Sequence, residues 1–137
     1  MREIKFRAKR IDNNEWVYGG YMKNINGTYI TDTDNFHLRK TYKNYLVCDE
    51  TIGQFTGLYD KNNVEIYEGD IVKFFSGLGG KETCVIYYDE WQQSLNIKNY
   101  PRGYIYDGLY NLKNKKGIEV IGNIFDNKED IWQKKKV

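Results

Sequence analysis

The chain has 137 residues, 40% of them hydrophobic, with a formal net charge of +2, which is the length of one domain or two small ones. Ile, Leu, Val and Phe supply 34 residues, about a quarter of the chain, so the disordered class is excluded. No stretch approaches the roughly 20 apolar residues of a membrane helix, and Met1-Arg2-Glu3-Ile4-Lys5 lacks the apolar core of a signal peptide.

Composition points to strand. Val, Ile, Tyr, Phe, Trp and Thr make 50 residues, whereas Ala, Leu and Met make 10, and Ala8 is the only alanine. Branched and aromatic side chains suit a pleated, half-buried surface, and good apolar helix formers are scarce. Cys48 and Cys84 stand 36 residues apart with no CxxC, which reads as two reduced, packed thiols in a cytoplasmic protein. Without Lys134, Lys135 and Lys136 the net charge falls to −1. The body therefore lacks the strongly basic footprint usual in nucleic-acid binders.

Taken in order, Ile4, Phe6 and Ala8 alternate with Lys5, Arg7 and Lys9, predicting a half-buried strand with a basic outer row. Asp12-Asn13-Asn14 turns the chain into a second strand at Trp16-Val17-Tyr18, which Gly19-Gly20 is expected to stop. Tyr21 to Ile25 and Thr28 to Thr31 flank Asn26-Gly27, the pair that tolerates the positive φ values of a type I′ hairpin. Asp32 to Lys43 is polar and reads as a long connection with a short strand near Phe36. Tyr45 to Cys48 and Ile52 to Leu58 read as strands, the latter broken by Gly53 and Gly57. Asp60 to Asn63 forms a turn from which Val64 to Tyr67 returns antiparallel. Glu68-Gly69-Asp70 turns again, into Ile71 to Phe75, with Ile71 and Phe74 offered to the core. Beyond the Gly77 to Gly80 loop, strands are expected at Thr83 to Tyr88, Ser94 to Ile97 and Glu119 to Phe125. Between them Asn99 to Gly117 predicts irregular structure or a short helix near Leu109, and Asn127 is placed to cap one last helical turn.

Such spacing argues for a small barrel or sandwich with little helix. A soft boundary near Asp49-Glu50-Thr51 divides a β-hairpin region, 1–50, from a barrel-like region, 51–131, followed by a basic tail, 132–137.

Four stretches in order resemble the YopX family of bacteriophage and prophage proteins: Arg2 to Ala8, Gly53 to Leu58, Ile66 to Val72, and Val120 to Ile124. The resemblance implies a mostly-β protein with an SH3-like barrel or roll as its main element, of phage or prophage origin. It brings no established activity and no catalytic residues. Lys9 stands where an aromatic is frequent in the family. The same motifs carry a physical reading as fold markers. Gly69 takes a positive φ without a Cβ penalty, the Asp70 carboxylate accepts a nearby backbone N–H, and Gly122 fits a bulge or tight bend.

Catalytic constellations are poorly supplied. Ser76 and Ser94 are the only serines, neither within GxSxG, and His37 is the only histidine. Pairing His37 with Cys48 or Cys84 competes with ordinary packing of those thiols. Zinc needs three or four convergent ligands; Glu65, Glu68 and Asp70, the one acidic cluster, read more simply as solvated turn carboxylates. Gly77-Leu78-Gly79-Gly80 lacks the Lys-Ser/Thr of a P-loop. The expectation is therefore a protein without catalytic, metal or cofactor sites. Its candidate nucleic-acid contacts are Lys5, Arg7 and Lys9, within ten residues that carry a net +4. The plentiful aromatics could stack single-stranded bases, though an outer basic row also guards a strand edge. Protein–protein contact with a host or phage partner, self-association included, is the preferred expectation, because three tryptophans and 13 tyrosines in so small a chain leave aromatic surface exposed.

Overall fold

The computed structural model describes residues 3–32, 43–76, 79–103, 105–108 and 112–126. The strand expected near Phe36, the turn capped by Asn127, Leu109, near which a short helix is expected, His37 and the basic tail all lie outside those residues. Mostly-β architecture is confirmed, in antiparallel sheets. Among the described residues no helix is long and apolar enough to cross a membrane. The chain divides into two compact units, Met1–Gly57 and Leu58–Val137. The division falls later than position 50 because Gly53 and Gln54 pair with Arg7 and Phe6.

The first unit contains β1 (Phe6–Lys9), β2 (Trp16–Asn24), β3 (Gly27–Asp32), β4 (Asn44–Val47), a 3₁₀ turn at Asp49–Thr51, and the start of β5 (Gly53–Tyr59). Its strand order is β4-β3-β2-β1-β5. It is more than a hairpin, because β4 turns back onto the end of β1. Arg10 bridges Val47, Ile11 N–H donates to Leu46 O at 3.2 Å, and Cys48 N–H donates to Lys9 O at 2.8 Å. Four strands thus close on themselves, and closure removes an exposed edge. Thr51 fastens the seam: its hydroxyl accepts the Lys9 N–H at 2.9 Å and donates to Cys48 O at 2.7 Å. Ala8, Ile30 and Val47 fill the interior, with Phe6, Val17, Tyr45 and Ile52 packed around them.

Two local expectations change. Gly19-Gly20 does not stop β2, since Gly19 pairs with both Phe6 and Asp32 and the ladder runs on to Asn24. The β2–β3 hairpin is present, but Asn24 pairs with Gly27, so the loop is Ile25-Asn26. The Asn24 side chain accepts the Asn26 N–H at 2.8 Å and organises the loop one residue early. Neither loop residue has the positive φ of a type I′ turn.

The second unit holds β6 (Glu65–Tyr67), β7 (Asp70–Phe75), β8 (Lys81–Asp89), β9 (Ser94–Asn99), β10 (Ile105–Gly108) and β11 (Lys116–Asn123). Its five-stranded sheet has the order β10-β9-β8-β7-β11. Its core gathers Ile66, Val72, Phe74, Cys84, Ile86, Ile97, Leu112 and Ile118. Ile71 and Phe74 are both buried, as expected, but three residues apart in a strand they serve opposite faces. Within the stretch read as irregular, β10 pairs with β9, an element its glycine- and asparagine-rich surroundings concealed.

Candidate functional site

Directly paired residues in an antiparallel ladder project to the same face. In the first unit Arg7 lies opposite Tyr18 and Lys9 opposite Trp16, while Met22, Tyr29 and Leu46 form a row across β2, β3 and β4. Alternation puts all of these on the wall opposite Ala8 and Ile30. The outer wall therefore has two halves: cations and rings around β1, and apolar side chains across β2 to β4.

The cationic half is not the solvent-facing row that the sequence predicted. Arg7 and Lys9 are only 6% and 9% exposed. Trp16 explains this, with the Arg7 guanidinium 4.5 Å and the Lys9 ammonium 5.4 Å from its ring centroid. Lys5 lies 5.5 Å from the Phe55 ring and 3.5 Å from Glu3. Alternation was read correctly; exposure was not, because long basic stems lie down along aromatic surface when one is offered. Each such contact contributes about 0.5–2 kcal/mol, more as water is excluded. Beyond the strand, Arg10 stacks 4.7 Å from Tyr45 and donates twice to Asp12, at 2.9 and 2.6 Å. That bidentate hydrogen bond raises the Arg10 pKa and lowers that of Asp12.

The apolar half is open. Tyr18, Met22 and Leu46 are each exposed by 41–42%. Between Tyr18 and Met22, Gly20 leaves a notch, with nothing within 4 Å of where a Cβ would stand. Beside Leu46 is a depression of about 340 Å³ lined by Arg10, Ile11, Asp12, Asn44, Tyr45 and Leu46.

Of the motif residues, Gly53, Gly57, Asp70 and Gly122 lie within strands and Gly69 in a turn. Gly53 sits buried in β5 opposite Arg7, and Gly57, with φ 84°, is the last residue of the first unit. Gly69 has φ 92°, and Asp70, 1% exposed, accepts the Tyr67 N–H at 2.8 Å. The register of β11 against β7 shifts between Val120 and Gly122, the bulge that a strand glycine implies. Glu65 accepts from the Tyr67 hydroxyl at 3.2 Å. Among the described residues no group of three or more His, Cys, Asp or Glu is placed to hold a metal ion. Cys84 is fully buried, and burial pushes its thiol up to about 12.

Sequence reading missed Asp60, taken for an ordinary turn residue. Its Oδ1 accepts N–H from Asn62 at 2.7 Å and Val64 at 2.9 Å, and its Oδ2 accepts Val120 N–H at 3.0 Å across 60 residues of chain. Burial pushes its pKa up, but three N–H donors and neighbouring Lys61 outweigh that and hold it below the usual carboxylate value. Asp-x-Asn ahead of a strand signals the local half of this arrangement; nothing local signals Val120.

Comparison with known proteins fits this architecture. The family model described as YopX protein matches residues 5–131. The chain belongs to the YopX family. Nearly all of it is family sequence: the match spans most of both units, three of the four motif stretches in full, and the first stretch from Lys5 onward. No curated protein is similar to it. A solved structure, the crystal structure of protein EF1440 from Enterococcus faecalis, is similar at a TM-score of 0.53 and 22% identity, covering 96% of this chain and 99% of that one. At that identity the likeness establishes the fold of this YopX family member and nothing of its activity.

Proposed function

We propose that this chain is a non-enzymatic interaction module, of phage or prophage origin and acting in the host cytoplasm, that binds a host or phage protein through the outer wall of its first unit. The observation that carries this reading is the group of Tyr18, Met22 and Leu46, three large apolar side chains left open on one wall. Exposed aromatic and methionine side chains are characteristic of interface centres, and the notch at Gly20 and the depression beside Leu46 give that wall relief. The Arg10–Asp12 ion pair supplies a polar rim. As part of this reading, the five-stranded sheet of the second unit is the SH3-like element that the family resemblance implies. Its one-sheet antiparallel order and the register shifts in β11 support that assignment.

Nucleic-acid contact through Lys5, Arg7 and Lys9 has less support, because Arg7 and Lys9 are buried against Trp16. The test replaces Tyr18, Met22 and Leu46 by Ser and compares proteins retained from nuclease-treated, phage-infected lysate. Specific retention by the wild type that the variant loses supports the reading; identical retention refutes it.

A further inference from the structure

We propose that the outer face of the second unit's sheet, centred on Phe75, binds single-stranded nucleic acid by stacking a base on the ring and contacting phosphates with lysines. Register assembles the site. Phe75 lies opposite Lys81 on β8 and Lys116 on β11; two residues back, Lys73 lies opposite Thr83 and Glu119. Val72, Phe74 and Cys84 point the other way, into the core. Lys73, Phe75, Lys81, Thr83, Lys116 and Glu119 therefore share the face turned from that core. Glu119, the one carboxylate among these positions, is held by Lys61 at 3.2 Å. Three lysines remain without a compensating negative charge among these positions.

The ring at the centre is both open and fixed. Phe75 is 51% exposed, and Lys81 and Lys116 are exposed on either side of it. The Lys81 ammonium lies 5.1 Å from the ring centroid. Gly117 has φ 67°, and a Cβ there would stand 2.8 Å from the ring, so the bare main chain of β11 passes against Phe75. A phenyl ring flanked by ammonium groups is complementary to a flat aromatic ring carrying negative charge within a few ångströms. A nucleotide has that chemistry. A duplex keeps its base faces stacked, so only an unpaired strand can offer one to Phe75. Lys73 lies about 7 Å along the strand from Phe75, within reach of an adjoining phosphate. An acidic polypeptide would satisfy the lysines and leave the ring unused. This face also differs from β1 in that Lys81 and Lys116 are exposed and Lys73 is half-buried, whereas Arg7 and Lys9 are buried against an indole.

The experiment is fluorescence anisotropy of a labelled oligothymidylate at low salt, competed with duplex DNA of the same length and with polyglutamate. The single strand is expected to bind and both competitors to displace it poorly. Phe75→Ala should weaken binding roughly 5- to 150-fold, and Phe75→Tyr, which keeps a stackable ring, should restore it. Replacing Lys73, Lys81 and Lys116 together by Gln should flatten the slope of log affinity against log salt by about 2. Lys5→Gln should leave binding unchanged. The proposal is overturned by absence of binding at low salt, by equal competition from duplex or polyglutamate, or by sensitivity to Lys5→Gln but not to the three-lysine change.

Discussion

Replacing Asp60 by Ala should be among the most damaging single changes at any polar position of the second unit. Its carboxylate, 7% exposed, accepts three backbone N–H bonds and joins the turn before β6 to the middle of β11. A hydrogen bond to a charged group contributes about 1.5–3 kcal/mol, and a buried N–H left unpaired costs about 1–3 kcal/mol. Water can reach the donors nearest the turn, so the three bonds do not add in full. A loss of about 3–5 kcal/mol follows, which for a chain of this size lowers the melting temperature by on the order of 10 °C. Asp60→Asn should recover part of this, because one oxygen still accepts, but its amide then faces the Val120 N–H. The pH dependence has a fixed sign. The folded-state pKa of Asp60 lies below the ordinary carboxylate value of 3.8, so its contribution is complete above that value and is lost as pH falls through the lower, folded one. Urea denaturation of wild type and Asp60→Ala should therefore show a constant gap from neutral pH down to about 5 that narrows below about 4. A gap under about 1 kcal/mol at neutral pH, or one unchanged in acid, would refute the reasoning.

Three further outcomes are expected. Gly69→Ala should cost about 1–3 kcal/mol in thermal denaturation, because it forces a side chain to φ 92° and sets a Cβ 3.0 Å from the Phe125 ring. Trp16→Leu should destabilise the first unit by about 1–2 kcal/mol, since Arg7 and Lys9 lose the ring they cover; Trp16→Phe should cost less. In a thiol titration of the folded protein Cys48 should react first. Cys84, buried and pushed up to about 12, should react only on unfolding.

Much of the fold could be read from the sequence because its signals are local. Period-two alternation located β1, and the turn at Glu68-Gly69-Asp70 follows from a positive φ at Gly69 and a carboxylate set to accept an N–H. What escaped was non-local. Closure of β4 onto Arg10 and Ile11 joins positions far apart in sequence, and no residue type announces it. The reach of Asp60 to Val120 is hidden for the same reason. Burial of Arg7 and Lys9 was misread because alternation assigns a face without saying what lies upon it; Trp16, directly opposite Lys9, decides that. The apolar row on the same wall was equally hidden, since Met22, Tyr29 and Leu46 belong to three strands and meet only through register.

The most direct test of the proposed interaction wall compares wild type with the chain carrying Ser at positions 18, 22 and 46. Both are tagged, equally folded by circular dichroism, and exposed to nuclease-treated lysate of phage-infected cells, with retained proteins quantified. A defined protein held by the wild type and released by the variant is the predicted result. Equal retention by both, or none by the wild type, would contradict the account.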